Sequence, residues 1–155
     1  MNIKILWPGK TKTAAVRELQ EFYLKRIRAL VPCEIIETAA ARGLEERFGE
    51  KIKEIEAGGL EKHFKDDYIV CLFDEGREMS SKELARFFEE CAVGPVRTVT
   101  FVLGGFLGLA QRILERADLR LSLSRMTLSH ELVRIVLMEQ IYRSISIMKG
   151  RQYAK

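Results

Sequence analysis

The chain has 155 residues, of which 47% are hydrophobic and 31% charged, with a formal net charge of +4. That length fits one domain over residues 1–155, and no apolar run approaches the ~20 residues needed to cross a bilayer, which argues against a helical membrane protein. The opening MNIKILWPGK is broken at Pro8 and Gly9, so it reads as a first strand and not as a signal peptide, and a cytoplasmic protein is expected.

Asn2 to Trp7 reads as a strand closed by Pro8-Gly9. From Thr13 to Leu30, apolar residues recur at three and four (Val16, Leu19, Phe22, Tyr23, Ile27, Leu30), predicting a helix that Pro32 stops. Cys33 to Thr38 is a second strand. Gly43 to Phe64 is rich in Glu and Lys, with Leu44, Phe48, Ile52 and Ile55 on one face, predicting an exposed helix broken at Gly58-Gly59. Tyr68 to Phe73 is a near-continuous apolar run, the pattern of a strand buried on both faces, and Asp74-Glu75-Gly76 is expected to turn the chain. Ser81 is placed to cap a helix from about Lys82 to Val93. After Gly94-Pro95, Thr98 to Leu103 is another strand, running into Gly104-Gly105-Phe106-Leu107-Gly108. Ala110 to Ala117 is a short helix and Leu119 to Leu123 a last strand. This alternation predicts an α/β fold with a mainly parallel sheet and helices on both faces.

The last segment, Leu121 to Lys155, holds the richest signals. Glu131 to Lys149 carries two apolar stripes at helical spacing, one with Leu132, Ile135, Val136 and Tyr142, the other with Val133, Leu137, Ile141, Ile145 and Met148. One stripe can face the sheet. The second suits either the same helix of another copy across a two-fold axis or burial inside its own domain. Residues 1–119 hold 19 Lys and Arg against 20 Asp and Glu, whereas residues 120–155 hold 7 against 2, so the positive charge is concentrated at the C-terminal end. That basic concentration suits phosphates of a nucleic acid, although seven cations also describe a merely solvated face.

Open α/β sheets bind ligands beyond the carboxyl ends of their strands, where this chain has Gly76 and Gly104-Gly105. Either loop could equally be a tight turn. The run GGFLG is neither a dinucleotide fingerprint nor a P-loop. Ser122, Ser124, Thr127, Ser129 and His130 gather before the last helix, where hydroxyls also serve as caps. No acid is spaced to complete a hydrolytic triad, so a bound group donor fits better than covalent catalysis. Cys33, Cys71 and Cys91 form no C-x-x-C pair and read as reduced core residues. With only His63 and His130 as imidazoles, no metal site is expected.

Three segments together, LFDEGREMSSKELA at 72–85, FVLGGFLGL at 101–109 and LSLSRMTLSHELVRIVLMEQIYRSISIMKGRQY at 121–153, resemble the RlmH family, the small SPOUT-class methyltransferases of the large ribosomal subunit. The likeness runs nearly the full length in order and spacing. It implies a SPOUT α/β fold with a C-terminal trefoil knot, a homodimer, and S-adenosylmethionine as methyl donor for N3 of a pseudouridine in large-subunit (23S) rRNA on the assembled ribosome. It further implies cofactor contacts on three loops: Leu72 and Gly76; Gly104, Gly105 and Gly108; and Leu123, Ser124, Arg125, Met126, Thr127 and Leu128. A Gly105→Val side chain is then expected to intrude on the cofactor.

The imide N–H of the acceptor must lose its proton, so cations that favour the anion matter; Arg134 and Arg143 are the candidates, with Tyr153 helping to hold the base. Pairing of these arginines with Glu131 and Glu139 is the competing expectation. The chain departs from the family at Phe106, where Pro or Ser is usual, at Ser129, where Pro precedes the His, and at Ala154, where His follows the Tyr. The last departure allows an alternative function, a catalytically weak or silent dimer that binds cofactor and ribosome.

Overall fold

The computed structural model describes residues 1–153; Ala154, on which the last departure falls, lies outside the described residues. Five strands, β1 (Asn2–Pro8), β2 (Cys33–Thr38), β3 (Tyr68–Glu78), β4 (Thr98–Val102) and β5 (Leu119–Ser122), form one sheet in the order β2-β1-β4-β3-β5. Every pairing is parallel, as the alternation of strand and helix requires. The helices are α1 (Ala14–Arg28), α2 (Gly49–Glu61), α3 (Ser81–Val93), α4 (Gln111–Arg116) and α5 (His130–Met148), with a single 3₁₀ turn over Glu46–Phe48.

Side chains alternate across the strands and so build two cores. Ile3, Ile5 and Trp7 of β1, Val70 of β3 and Val99 and Phe101 of β4 face α1, α3 and α5, meeting Ile27, Phe88, Leu137, Met138, Ile141 and Ile145. Leu6, Ile69, Cys71 and Val102 point to the opposite face, where Ala57, Leu60, Ile113 and Leu114 of α2 and α4 cover them. The second face also buries a polar bridge beneath the central strands: Lys4 pairs with Asp67, whose Oδ2 accepts the Thr100 hydroxyl at 2.7 Å. All three cysteines are buried and unbridged. Burial pushes the Cys33 and Cys71 thiols up to about 12 and Cys91 up to about 11, which keeps them protonated and unreactive.

Three local expectations are corrected. First, α2 runs unbroken through Gly58-Gly59, where a side chain on Gly59 would rest against Thr38 Cβ at 3.6 Å. Its buried residues are Glu56, Ala57 and Leu60, whereas Phe48 and Ile55 are exposed. Second, the cap of α3 is Ser80, which accepts from Glu83 N while Glu83 accepts from Ser80 N, a reciprocal capping box. Ser81 instead donates to Gln140 of α5.

Third, Asp74-Glu75-Gly76 does not turn the chain away. Leu72 and Arg77 both register with Leu121, so the four residues between them bulge out and β3 then rejoins β5. On α5, where the sequence leaves burial and a partner copy both open, Leu137, Met138, Ile141 and Ile145 are fully buried beneath the helix, contributing roughly 1.5–3 kcal/mol each, and Ile135 of the other stripe is buried too. Leu132 remains 45% exposed, and Val136 and Tyr142 are half-buried. α5 is therefore a central helix between α1 and α3 with a partly open outer side.

The rejoining of β3 with β5 depends on Gly76, because a Cβ there would lie 2.7 Å from the Arg120 carbonyl carbon and oxygen, both backbone atoms that cannot swing aside. Gly76→Ala is therefore expected to lower the unfolding free energy by about 1–3 kcal/mol, as overpacking does. Denaturant titration checks this, and an unchanged midpoint would contradict the assigned contact.

Candidate functional site

The carboxyl ends of β3, β4 and β5 converge on a cavity of about 440 Å³. Its walls come from Leu72, Phe73 and Asp74 after β3, from 103–109 after β4, and from Leu121 and 123–128 around the end of β5, with His130 and Val133 of α5 closing one side. Arg125 is missing from that lining. The loop after β4 keeps its shape by folding onto itself: Gly108 N donates to Gly105 O at 3.1 Å, and a Cβ on Gly104 would lie 2.4 Å from the Gly108 carbonyl carbon. Gly104 is thus needed first for loop closure. In the loop after β5, Ser124 Oγ accepts from Met126 N and Ser122 Oγ donates to Ser124 O, which uses these hydroxyls to hold the turn.

Of the residues expected to hold cofactor, Leu72, Gly104, Gly105, Gly108, Leu123, Ser124, Met126, Thr127 and Leu128 line this cavity. Two do not. Gly76 packs on the Arg120 backbone, and the Arg125 side chain is 87% exposed and pairs with Glu78 at 3.3 Å. The residues present suit a nucleoside-based donor, since Leu103, Leu123 and Leu128 offer apolar surface to a purine, the loops expose backbone groups, and Asp74 adds a carboxylate suited to a cationic donor.

A second cavity, about 360 Å³, adjoins the first and shares Gly105, Phe106, Leu107 and His130 with it. Its other walls are the 8–12 loop, Ala40-Ala41, Glu46, Ile52 and Glu56, and Arg134 of α5. Arg134 is 1% exposed, donates to Thr11 Oγ1 at 2.9 Å and Pro8 O at 3.2 Å, and lies 4.7 Å from the Trp7 ring. Its Nε–H is buried without a hydrogen-bond partner among the described residues. It does not hydrogen-bond Glu131, contrary to the competing expectation. Glu131 instead accepts from the backbone N–H groups of Lys12 and Thr13 at 2.7 and 3.1 Å. α5 therefore grips the β1–α1 loop twice.

Arg143 follows the other expectation: Nη2 meets Glu139 Oε1 at 2.6 Å, and the guanidinium lies 4.5 Å from the Tyr153 ring. Tyr153 packs edge-on against Tyr142 at 4.7 Å. Neither Arg143 nor Tyr153 lines either cavity, because their turns of α5 and the tail lie toward α1 and solvent.

Glu56 is not among the residues that the sequence singles out, whereas His130 is, and both line the second cavity. Glu56 is 6% exposed, Oε2 accepts from Ala41 N at 3.3 Å, and burial raises its pKa above the ordinary glutamate value. Its position was readable, since residues 52, 56 and 60 form one line on a helix and an acid between Ile52 and Leu60 must be buried with them. A Cβ on Gly105 would lie 3.1 Å from Glu56 Oε1 and 3.3 Å from Pro8 Cγ. The first carbon of a Gly105→Val side chain thus presses on the second cavity's wall, at a residue that lines both cavities. His130 sits edge-on to Phe106, and burial, aided by the Arg134 charge, lowers its pKa, leaving a neutral imidazole at pH 7.

The family model described as Predicted SPOUT methyltransferase matches residues 1–154. The Lactococcus lactis IL1403 protein named ribosomal RNA large subunit methyltransferase H is 38% identical, with all of both chains covered. The protein of the same name from Geobacter metallireducens is 38% identical over 99% of this chain and 98% of its own. Among solved structures, a probable methyltransferase from Bordetella pertussis Tohama I superposes with a TM-score of 0.56 at 11% identity, over 93% of this chain and 96% of that one. A Legionella pneumophila protein solved with the cofactor SAM gives a TM-score of 0.51 at 11% identity, over 91% of this chain and 65% of that one.

The Glu131 grip has a pH signature. Burial pushes its carboxyl up, but hydrogen bonds from Lys12 and Thr13 and the nearby Arg134 charge outweigh this and lower it to about 2. A carboxylate with a depressed folded value stabilises the fold above its unfolded value and loses that contribution as pH falls toward the folded one. Glu131→Gln is expected to cost roughly 1–2 kcal/mol near pH 7, with the difference from wild type shrinking between about pH 4.5 and 2. Denaturation at a series of pH values measures it, and a pH-independent difference would contradict the grip.

Proposed function

Because the chain belongs to the SPOUT methyltransferase family, we propose that it methylates large-subunit ribosomal RNA, at N3 of a pseudouridine on the assembled ribosome, in the cytoplasm. The names of its full-length relatives support the enzyme class and the RNA. The observation that carries the reading is the pair of adjoining cavities, one walled by loops at three strand ends, the other holding Lys10, Lys12, His130 and Arg134 together with Glu46 and Glu56. Bound S-adenosylmethionine supplies an activated methyl group, so the chain's own work is to orient donor and acceptor and to handle one proton.

In this reading the 103–109 and 123–128 loops hold the cofactor, with the C-terminal segment threaded as a trefoil knot. Arg134 faces the acceptor and favours negative charge on it. The chain acts as a homodimer: Leu19 and Phe22 of α1 and Leu132 of α5 are 44%, 46% and 45% exposed, an apolar set beside the open side of the central helix. Leu137 and Ile141 are committed to the chain's own core, so charges there would unfold the protein, not part the dimer. Arg143 and Tyr153 then serve catalysis only across that interface, at the partner's cavities. No helix is long and apolar enough to cross a membrane, and no group of three or more His, Cys, Asp or Glu suited to a metal occurs among the described residues.

The wild-type protein is expected to scatter light as a particle of twice its 17.8 kDa mass, and Leu132→Asp to move it toward monomer while it stays folded. A monomeric wild type at micromolar concentration would remove the dimer from the proposal.

Single-turnover assays on undermethylated ribosomes, read by mass spectrometry of the rRNA, test the reaction. Methyl transfer by wild type to one pseudouridine N3 is expected. Ala154→His should speed it at subsaturating ribosome and leave the saturated rate within about threefold, as for a residue that positions substrate. No transfer by wild type, restored by Ala154→His, would establish the silent dimer instead.

A further inference from the structure

The methyl-transfer reading leaves one proton unassigned. An imide nitrogen becomes a competent nucleophile as it loses its N–H proton, and a group that accepts the proton must sit beside the acceptor, near the donor but not within its pocket. The first cavity offers only Asp74 as a carboxylate, at the loop that leaves β3. The second offers Glu56, buried on α2 against the Gly105 backbone that separates the two cavities.

Resting on that reading, we infer that the second cavity receives the acceptor base and that the Glu56 carboxylate takes the proton from its ring N–H as the methyl arrives. Oε2 is engaged by Ala41 N, whereas Oε1 accepts no hydrogen bond among the described residues and stands 3.1 Å from where a Gly105 side chain would begin. A side chain at 105 would occupy that space, which glycine leaves free. Arg134 lines the same cavity, and its buried guanidinium charge favours a carbonyl oxygen that gains negative charge as the N–H proton leaves. The exposed Phe106 ring stands at the boundary of both cavities, where a flat base can lie against it.

The step balances. The ring N–H bond breaks and its proton passes to Glu56; the nitrogen pair forms the new bond to the methyl carbon; the carbon–sulfur bond breaks and its pair neutralises the sulfonium. Glu56 later releases the proton to water. The titratable and charged groups that share the cavity with Glu56 are Lys10 and Lys12 from the β1–α1 loop, Glu46 from the 3₁₀ turn, and His130 and Arg134 from α5. Burial raises the carboxyl toward the acceptor's own range, which makes it a better base once ionised.

The test compares wild type with Glu56→Gln and Glu56→Asp in single-turnover transfer to undermethylated ribosomes, alongside calorimetric S-adenosylmethionine affinity, melting temperature and a carbon-detected NMR titration of Glu56. Glu56→Gln is expected to lower the saturated rate about 10²- to 10⁴-fold with cofactor affinity kept within about threefold. Its rate should become first order in hydroxide, where wild type levels off above the Glu56 titration, and Glu56→Asp should recover part of the loss. A Glu56→Gln rate within about threefold of wild type, an unchanged pH profile, or a parallel loss of cofactor affinity overturns the inference while leaving methyl transfer intact. A titration midpoint at or below the ordinary glutamate value also overturns it. A wild type that transfers no methyl overturns both readings.

Discussion

The arrangement depends on a guanidinium removed from water. Arg134 is almost completely buried under the Trp7 ring, and a charge in that position is tolerated only when its surroundings supply dipoles and π surface in return. Pro8 O and Thr11 Oγ1 do so, and the Thr11 hydroxyl in turn donates to Gln20 Oε1 at 2.7 Å. Glu37 completes the support, accepting from Trp7 Nε1 at 3.0 Å and Thr11 N at 2.9 Å. The result is that the end of β1, the loop after it, the end of β2 and the start of α5 are fixed to one another. One donor of that guanidinium is left over, and it belongs to the residue that walls the second cavity.

That constraint also sets the geometry of the neighbouring loops. With α5 held over the end of β1, His130 lies at the boundary of the two cavities and meets the Phe106 ring at 6.2 Å. The loop after β4 is pinned by its own backbone, Gly104 against Gly108, with Glu56 lying next to Gly105 on its outer side. The two cavities therefore share one wall, Gly105 to Leu107. A group-transfer enzyme gains most of its advantage from holding two partners in register, and a wall made of backbone and one ring does so without loose side chains.

Much of this was legible because it is written in short-range pattern. Strand positions followed from apolar runs bounded by Pro8-Gly9 and Gly94-Pro95, and α1 and α5 from spacing at three and four. The loops lining the first cavity were found because glycine and hydroxyl clusters stand at strand ends, and the family likeness sharpened them. What escaped required a partner distant in sequence. Gly76 was read as a ligand contact, yet its smallness serves Arg120, 44 positions later, across a ladder that resumes after a bulge. Arg134 could not be separated from Arg143 by spacing, since both sit on one helix near a glutamate; burial beneath Trp7 distinguishes them. Glu56 was hidden by its own chemistry, an acid in a helix rich in acids, although its line with Ile52 and Leu60 marked it as inward-facing.

The account divides labour between two cavities, and a crystal structure of the protein with S-adenosylhomocysteine tests that division most directly. The account requires the purine among Leu103, Leu123 and Leu128 in the first cavity, the sulfur toward the Gly105–Leu107 wall, and the space between Glu56 and Arg134 free of cofactor. Cofactor density filling the second cavity, or a purine seated outside the 103–109 and 123–128 loops, would contradict it.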